Sequence, residues 1–544
     1  MTSWKESVRL WPWGTAFGWL AELEYSRRVT RLCHCRLRRM INSAGTTPPI
    51  VNPGLNSSAH LCAHIANAAG PCRSGRLDRS ITLKMFRLSS LTDGNDHIRF
   101  QNHEGTEAAR TLGMNPNRDL RATCIIALAL VALTLKLAIA YNTIGTNDAV
   151  VFYGFAKVLS QHSLEWTYQH SRYFNHPPLT AYYLRGIYAL TEQPWCQDIG
   201  IHFPFLLRFP GIIADFLVVV VLLRMSKTDL RIPTWALALF ALSPVSLMVS
   251  GFHGNTDPVM VLLLVCAVWM CLQNRPALAG LFFALSCQIK IVPLLFLPAL
   301  VLFWWSQNRS RGFLISGAVT TCILWLDPMM NFPMLFAKNV LAYGSYWGMW
   351  GITYLFRLTG LTEFSRLSFF DLEPAQDVVI SLLKVMIVAA ALWIAWRNRH
   401  ARGPAFVQSL AYTWLVFFVF APGVCPQYLI WLAPFILILS PTFYTCMLVA
   451  SSAFLFAFYN ITSGGLPWSV ALSTDEVRER WISWSLLPWI VLIIGPIALW
   501  RRAQMLRIVQ TRPSGASSAA GIVRLGTRRS ALPLDFSDTS SPCS

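Results

Sequence analysis

Ala122 to Tyr141 read ATCIIALALVALTLKLAIAY, an apolar run of about 20 residues, the length an α-helix needs to cross a hydrocarbon core of about 30 Å. Arg118 and Arg121 precede it, so its start faces the side where basic residues collect, the cytoplasm. Reading outward from this run, blocks of the same kind recur to residue 500.

Composition agrees with a membrane protein. Of 544 residues, 54% are hydrophobic and only 13% are charged, about half the charged content of a soluble domain. The net charge of +19 would suit a nucleic-acid binder, but the positions argue otherwise. Much of the excess lies in residues 1–120 and in short loops between apolar blocks, the positive-inside pattern.

Basic flanks orient the blocks. Block 1 (122–141) delivers a long external loop, 142–205. Block 2 (206–223) returns to Arg224, Lys227 and Arg231; block 3 (232–250) goes out and block 4 (258–273) comes back to Arg275. Residues 277–305 then hold a mostly apolar stretch broken at Gln288-Ile289-Lys290 and Pro293, with basic residues beyond both ends. A hairpin of two short helices satisfies those flanks. Each arm of about 13–15 residues reaches about 20 Å, which leaves Lys290 near the tip in the outer half of the membrane. Block 7 (312–330) leads to a second large external loop, 331–375. Blocks 8 to 12 (376–396, 405–421, 427–440, 442–460, 483–500) complete an all-α bundle of about twelve membrane segments, with interfacial helices in the two large loops. Pro204, Pro210, Pro244, Pro426 and Pro441 sit at or near block ends, a use of proline that membrane bundles tolerate.

Residues 1–117 read as an Arg-rich cytosolic extension and 506–544 as a Ser/Arg/Pro-rich tail, both disordered by composition. Met114, directly before the first block, would make a natural start. Cys33-His34-Cys35 with His60, Cys62 and His64 fits no common zinc spacing and reads as a chance cluster; most other cysteines lie singly in apolar blocks as small hydrophobes.

Polar groups at membrane depth are costly and usually functional, and here they gather at the outer block ends. Thr146-Asn147-Asp148 opens the first external loop. Asp148 could act as a general base or hold a cation, and Asn147 or Asp148 could cap the following helix. Asn175-His176-Pro177-Pro178 leads into an aromatic-rich helix suited to the interface. Arg208 and Asp215, seven residues apart, share a helix face; they could pair, or Arg208 could meet a phosphate. His253-Gly254-Asn255-Thr256-Asp257 joins blocks 3 and 4, where His253 and Asp257 could position a sugar hydroxyl or a phosphate, or Asp257 could simply cap block 4. Lys290 needs an anionic partner or must snorkel to the surface, and a lipid phosphate is a natural partner. Pro426-Gln427-Tyr428 adds a further polar patch at the same level. There is no P-loop and no Ser nucleophile elbow.

This ensemble resembles the GT-C class of polytopic glycosyltransferases. It is carried by Thr146-Asn147-Asp148, Asn175-His176-Pro177-Pro178-Leu179-Thr180-Ala181-Tyr182, Phe252–Asp257, Lys290 and Pro426-Gln427-Tyr428-Leu429-Ile430-Trp431-Leu432-Ala433-Pro434. The Pro-Pro-Leu-Thr-Ala-Tyr string is similar to that of dolichyl-phosphate-glucose glucosyltransferases. The Pro-Gln-Tyr string is similar to that of bacterial polyprenyl-phosphate mannosyl- and arabinosyltransferases. The resemblance covers about residues 120–505. It implies an inverting transfer of a hexose, mannose or glucose, from a polyprenyl-phosphate sugar to a lipid-linked or cell-surface acceptor on the external or lumenal side. Asp148 would deprotonate the acceptor, and Lys290, with Arg208, would meet the departing phosphate. Asn147, Asn175, His176, His253, Asn255, Asp257, Gln427 and Tyr428 complete the substrate-binding set. Relatives often carry two acids where this chain has Asn147-Asp148, and one carboxylate with an amide is a poor magnesium site; no metal or cofactor is expected.

The location is thus a bacterial plasma membrane or endoplasmic reticulum membrane, and the partners are lipid donor, acceptor and bilayer, with no nucleic acid. Two rivals stand beside it. A transporter or flippase of lipid-linked sugars would place polar groups near the midplane and show paired repeats. A surface-polysaccharide ligase or polymerase would use no monosaccharide donor.

Overall fold

The computed structural model describes residues 116–511 apart from 172, 229, 343–344 and 369–370. The expected terminal extension, the Cys33–His64 cluster and the end of the tail lie outside the described residues. The first membrane helix ends at Asn142, and seven more helices are long and apolar enough to cross a membrane: Phe203–Ser226, Thr234–His253, Ser310–Asn331, Pro374–Arg397, Gly403–Phe420, Pro441–Ser463 and Glu476–Arg501. Four apolar helices are shorter: Asp257–Leu272, Pro276–Ile289, Val292–Trp305 and Pro426–Leu439. The chain is therefore a multi-pass integral membrane protein, with every apolar block of the sequence forming a helix. A third of those blocks are too short for a full crossing.

The break at Lys290 has a clear physical origin. Pro276–Ile289 stops at Lys290, whose backbone is extended (φ −146°, ψ 147°). The chain resumes as a 3-10 turn with Pro293 near its start, a position where the missing N–H is not needed. The first arm packs on Asp257–Leu272 and Ser310–Asn331, the second chiefly on Pro374–Arg397 and less on Ser310–Asn331. Gly280 lets the first arm close on its neighbour, because a Cβ there would collide with the Phe313 carbonyl.

Two cores coexist. The membrane core is rich in aromatics, with Trp304, Trp414 and Trp431 fully buried and Phe303 stacked on Phe406 at 4.1 Å. A smaller core, built on Phe152, Phe155, Phe174, Leu184 and Phe336, lies among the external helices Asn147–Gln161, Leu164–His170 and Pro178–Thr191. One departure from an all-α expectation matters for the site: Gly145–Thr146 pairs in parallel with Val470–Ala471. This two-stranded tie lies between the end of the first membrane helix and the last external loop.

Candidate active site

The site begins with the turn after the first membrane helix. Thr146, not Asn147 or Asp148, caps the next helix: its hydroxyl oxygen accepts from the Asp148 N–H at 3.3 Å. The same hydroxyl donates to the His253 carbonyl at 2.7 Å, which draws the two external turns together. Glycine permits that approach on both sides. Gly145 (φ +100°) and Gly254 (φ +86°) hold conformations that side chains resist. A Cβ would come 2.6 Å from the Phe252 carbonyl at Gly145 and 2.9 Å from the Ala149 Cβ at Gly254.

Asp148 is thereby surrounded. Its Oδ2 accepts from Asn255 Nδ2 at 2.9 Å and from Gln427 Nε2 at 3.0 Å, and lies 3.2 Å from His253 Nε2. His253 is held from behind, its Nδ1 lying 2.8 Å from the Tyr459 hydroxyl. The Asp148 side chain is still about a third exposed, at 34%. Among the described residues no hydrogen bond claims Oδ1, so a carboxylate gripped by one oxygen offers the other to solvent. Burial pushes this carboxyl up, but His253, Lys290 and the Asn255 hydrogen bond together outweigh burial and hold it below the ordinary carboxylate value.

Beside it stands a closed ion pair. Lys290 Nζ lies 2.7 Å from Asp257 Oδ1, with Asp257 fully buried and Lys290 only 6% exposed. The ammonium also sits 4.3 Å from the centre of the Tyr428 ring and 5.2 Å from that of Trp431, the two rings stacked at 4.0 Å. Asp257 does not cap its helix through its side chain; Asn255 Oδ1 accepts the Asp257 N–H at 3.1 Å instead. Within the protein the anion beside Lys290 is thus the Asp257 carboxylate; a lipid phosphate would be a second anion at the same ammonium.

The Asn-His-Pro-Pro motif buttresses this pair. Thr180 reaches the Gln288 and Ile289 carbonyls, each at 3.4 Å. The His176 ring packs on Phe152 at 5.0 Å. Burial, then the nearby Lys290 charge, pull the His176 imidazole down to about 3, so it is neutral at physiological pH. Asn175 turns the backbone, donating to the Tyr173 carbonyl at 3.1 Å, and among the described residues its side chain bonds neither cluster. Asn147 faces away from Asp148: its Oδ1 accepts from the Ser473 N–H at 2.7 Å, pinning the last external loop beside the parallel tie.

Arg208 departs from both expectations. Among the described residues it pairs with no carboxylate. It is buried, and its guanidinium is spent on the Pro204, Ala140, Thr143, Gly251 and Phe252 carbonyls and the Thr143 hydroxyl. Asp215 pairs instead with Lys136, Nζ to Oδ2 at 2.8 Å, and accepts from Ser246 and Ser250. This second cluster corrects the expectation that polar groups keep to the outer ends. Lys136 and Tyr459 carry no sequence signal beyond being polar in an apolar block. Among the described residues no three His, Cys, Asp or Glu side chains are grouped to hold a metal.

The fold is thus a multi-pass bundle that carries, at one end, a partly exposed carboxylate among amides, a histidine and a buried cation. Comparison with known proteins shows what part of the chain resembles. Residues 207–422 match the model of Glycosyltransferase family 87. The chain is also similar to GPI mannosyltransferase 1 of Kluyveromyces lactis, 25% identical over 229 residues, 38% of this chain and 52% of that protein. A shorter stretch is 32% identical over 75 residues to GPI mannosyltransferase 1 of Neurospora crassa, 14% of this chain and 15% of that protein. The chain thus spans about half the length of the first relative. What it resembles is a membrane glycosyltransferase, in keeping with the resemblance drawn from its short motifs. The matched segment includes His253, Asn255, Asp257 and Lys290; Asp148 and Gln427 fall outside it.

Proposed function

We propose that this protein transfers a hexose, most simply mannose, from a polyprenyl-phosphate sugar to an acceptor hydroxyl at the external or lumenal face, with Asp148 as the general base. The observation that carries the reading is the placement of Asp148: fixed through Oδ2 by Asn255 and Gln427, with its side chain still about a third exposed, at 34%. A carboxylate so held is oriented before substrate arrives, which is what proton abstraction requires. In the transfer the acceptor oxygen forms a bond to the anomeric carbon as the bond to the phosphate oxygen breaks. The acceptor proton goes to Asp148 and the electron pair leaves with the polyprenyl phosphate; attack from the face opposite the phosphate inverts the anomeric centre. The negative charge gathered on that phosphate is met by Lys290, whose position is fixed by Asp257 and two aromatic faces. Similarity to GPI mannosyltransferase 1 supports mannose as the sugar. The test is transfer of labelled mannose from a polyprenyl-phosphate donor by the purified protein, with Asp148→Asn as the control. Equal transfer by the variant removes Asp148 as the base.

One observation favours the transporter reading, the charged pair Lys136–Asp215 within the bundle. Both its charges are satisfied by each other and by two serine hydroxyls. The cavity beside it, about 10 Å³, has room for about one water molecule, far too little for a sugar. The transferase reading therefore stands first.

A further inference from the structure

Lys136 and Asp215 take no part in the proposed chemistry, yet ionised groups buried this deep cost several kcal/mol each in lost hydration. Lys136 lies six residues before Asn142, about 9 Å below the outer end of its helix. The partners of the pair show where its influence goes. Ser246 and Ser250 both donate to Asp215 Oδ2, and Ser246 also accepts from Lys136. These serines flank and occupy the segment Leu247–His253, which is π-helical. A π-helical turn is wider than an α-turn, is rare, and needs outside support to persist. Its last residue is His253, the group that faces Asp148.

Support reaches this turn from three directions. Below, Asp215 takes the two serines. Beside it, Gly251 lies against the first membrane helix, where a Cβ would come 3.3 Å from the Lys136 Cα. Above, Arg208 holds the Gly251 and Phe252 carbonyls at 3.1 and 3.0 Å. Released from Asp215, the turn is free to relax toward α-helical hydrogen bonding, which changes the rotation per residue and swings His253 away from Asp148.

We propose that the Lys136–Asp215 pair is a positioning device, which through Ser246 and Ser250 holds the π-helical turn that sets His253 against Asp148. Its kinetic consequence rests on the reading of Asp148 as a base; the placement of His253 does not. These are positioning residues, since none of them touches the reacting atoms.

The experiment uses the full chain in nanodiscs and two routes to the same break. Ser246→Ala/Ser250→Ala keeps the ion pair and cuts its link to the turn. Lys136→Met/Asp215→Leu removes both charges and leaves no buried ion without a partner. Lys136→Arg is the conservative control. The first readout is the rate at which diethylpyrocarbonate modifies His253, followed by peptide mass spectrometry. His253 is 3% exposed with both ring nitrogens engaged, so the wild-type rate is slow. Loss of hydrogen bonds to a charged acceptor raises it by about tenfold or more in both double variants, while Lys136→Arg stays within about twofold. The second readout is steady-state transfer: kcat falls about tenfold with KM for the polyprenyl-phosphate mannose little changed. Wild-type labelling and kcat in the serine double variant would overturn the proposal. So would parallel loss of kcat, donor affinity and folded protein in all three variants, which marks a plain structural pair. If the wild type transfers no mannose at all, the proposed function fails, and the labelling rates still decide the clamp.

Discussion

Two charged clusters, joined by the same turn of helix, are built on opposite plans. In the lower one every charge is closed: Asp215 receives Lys136 and two serines in the interior. In the upper one Asp257 and Lys290 close on each other, but Asp148, among the described residues, has one oxygen without a hydrogen bond and is held through the other by two amides and a histidine. A closed pair fixes geometry, while an open carboxylate can take up a proton. The pairing state of each carboxylate, more than its depth in the bundle, separates the structural groups from the one proposed to react.

The sharpest way to break this comparison is to neutralise each acid in turn. Asp148→Asn should lower transfer by about 10²–10⁴-fold, the range for a general base, with thermal stability unchanged; a radiolabel transfer assay and a melting curve on the same sample check both halves. Asp215→Asn should do the reverse in kind, destabilising the fold by about 3–5 kcal/mol because Lys136 is left buried without its anion. Lys290→Met should also cost about 3–5 kcal/mol, by stranding Asp257. Adding Asp257→Leu should restore the folded yield in detergent but not the transfer, which tells the lysine's two roles apart. A Lys290→Met/Asp257→Leu protein that transfers normally would deny the lysine any part in meeting phosphate.

Smaller changes sharpen the comparison. Asn147→Ala removes one hydrogen bond to the last external loop, worth about 1 kcal/mol, so kcat/KM should fall about fivefold with little change in the folded yield. The least effect is a displacement of the pH profile. His253 is the chief group holding the Asp148 carboxyl down against burial. His253→Gln removes the imidazole from beside Asp148, so the Asp148 pKa rises and the acid limb of kcat/KM moves to higher pH. An acid limb that stays in place or moves lower would mean that His253 does not set the ionisation of Asp148.

Much of this fold is legible in the sequence because the bilayer imposes a length. A run such as Ala122–Tyr141 has few alternatives in lipid, and basic flanks give its direction. Even the short arms meeting at Lys290 follow from that arithmetic. Parts of the site are legible for a related reason: polar residues such as Asp148, His253, Asn255 and Gln427 stand out at the ends of apolar blocks, and the structure brings these four together. Other features lack such a signal. Arg208 is satisfied by backbone carbonyls, which every residue possesses, so nothing in its spacing announces them. Its helical spacing from Asp215 suggested a pair, but Asp215 turns to Lys136, 79 positions away in the chain. Lys136 itself is one lysine in an apolar run, and Tyr459 one tyrosine among many aromatics. The partner of Asn147 is a backbone N–H at Ser473, which no side-chain pattern encodes.

The tie between Asn147 and Ser473 spans 326 positions of chain, and this has a consequence for biosynthesis. Ribosomes add about 5–20 residues per second, so the first external turn waits on the order of 20–60 s for its clasp. For most of that interval Gln427, 279 positions beyond Asp148, is also unmade. A truncated product ending before residue 427 would keep Asn255 and His253 beside Asp148 but lack the Gln427 amide and the Ser473 clasp. The carboxylate's full set of hydrogen bonds is therefore complete only when nearly the whole bundle has been threaded.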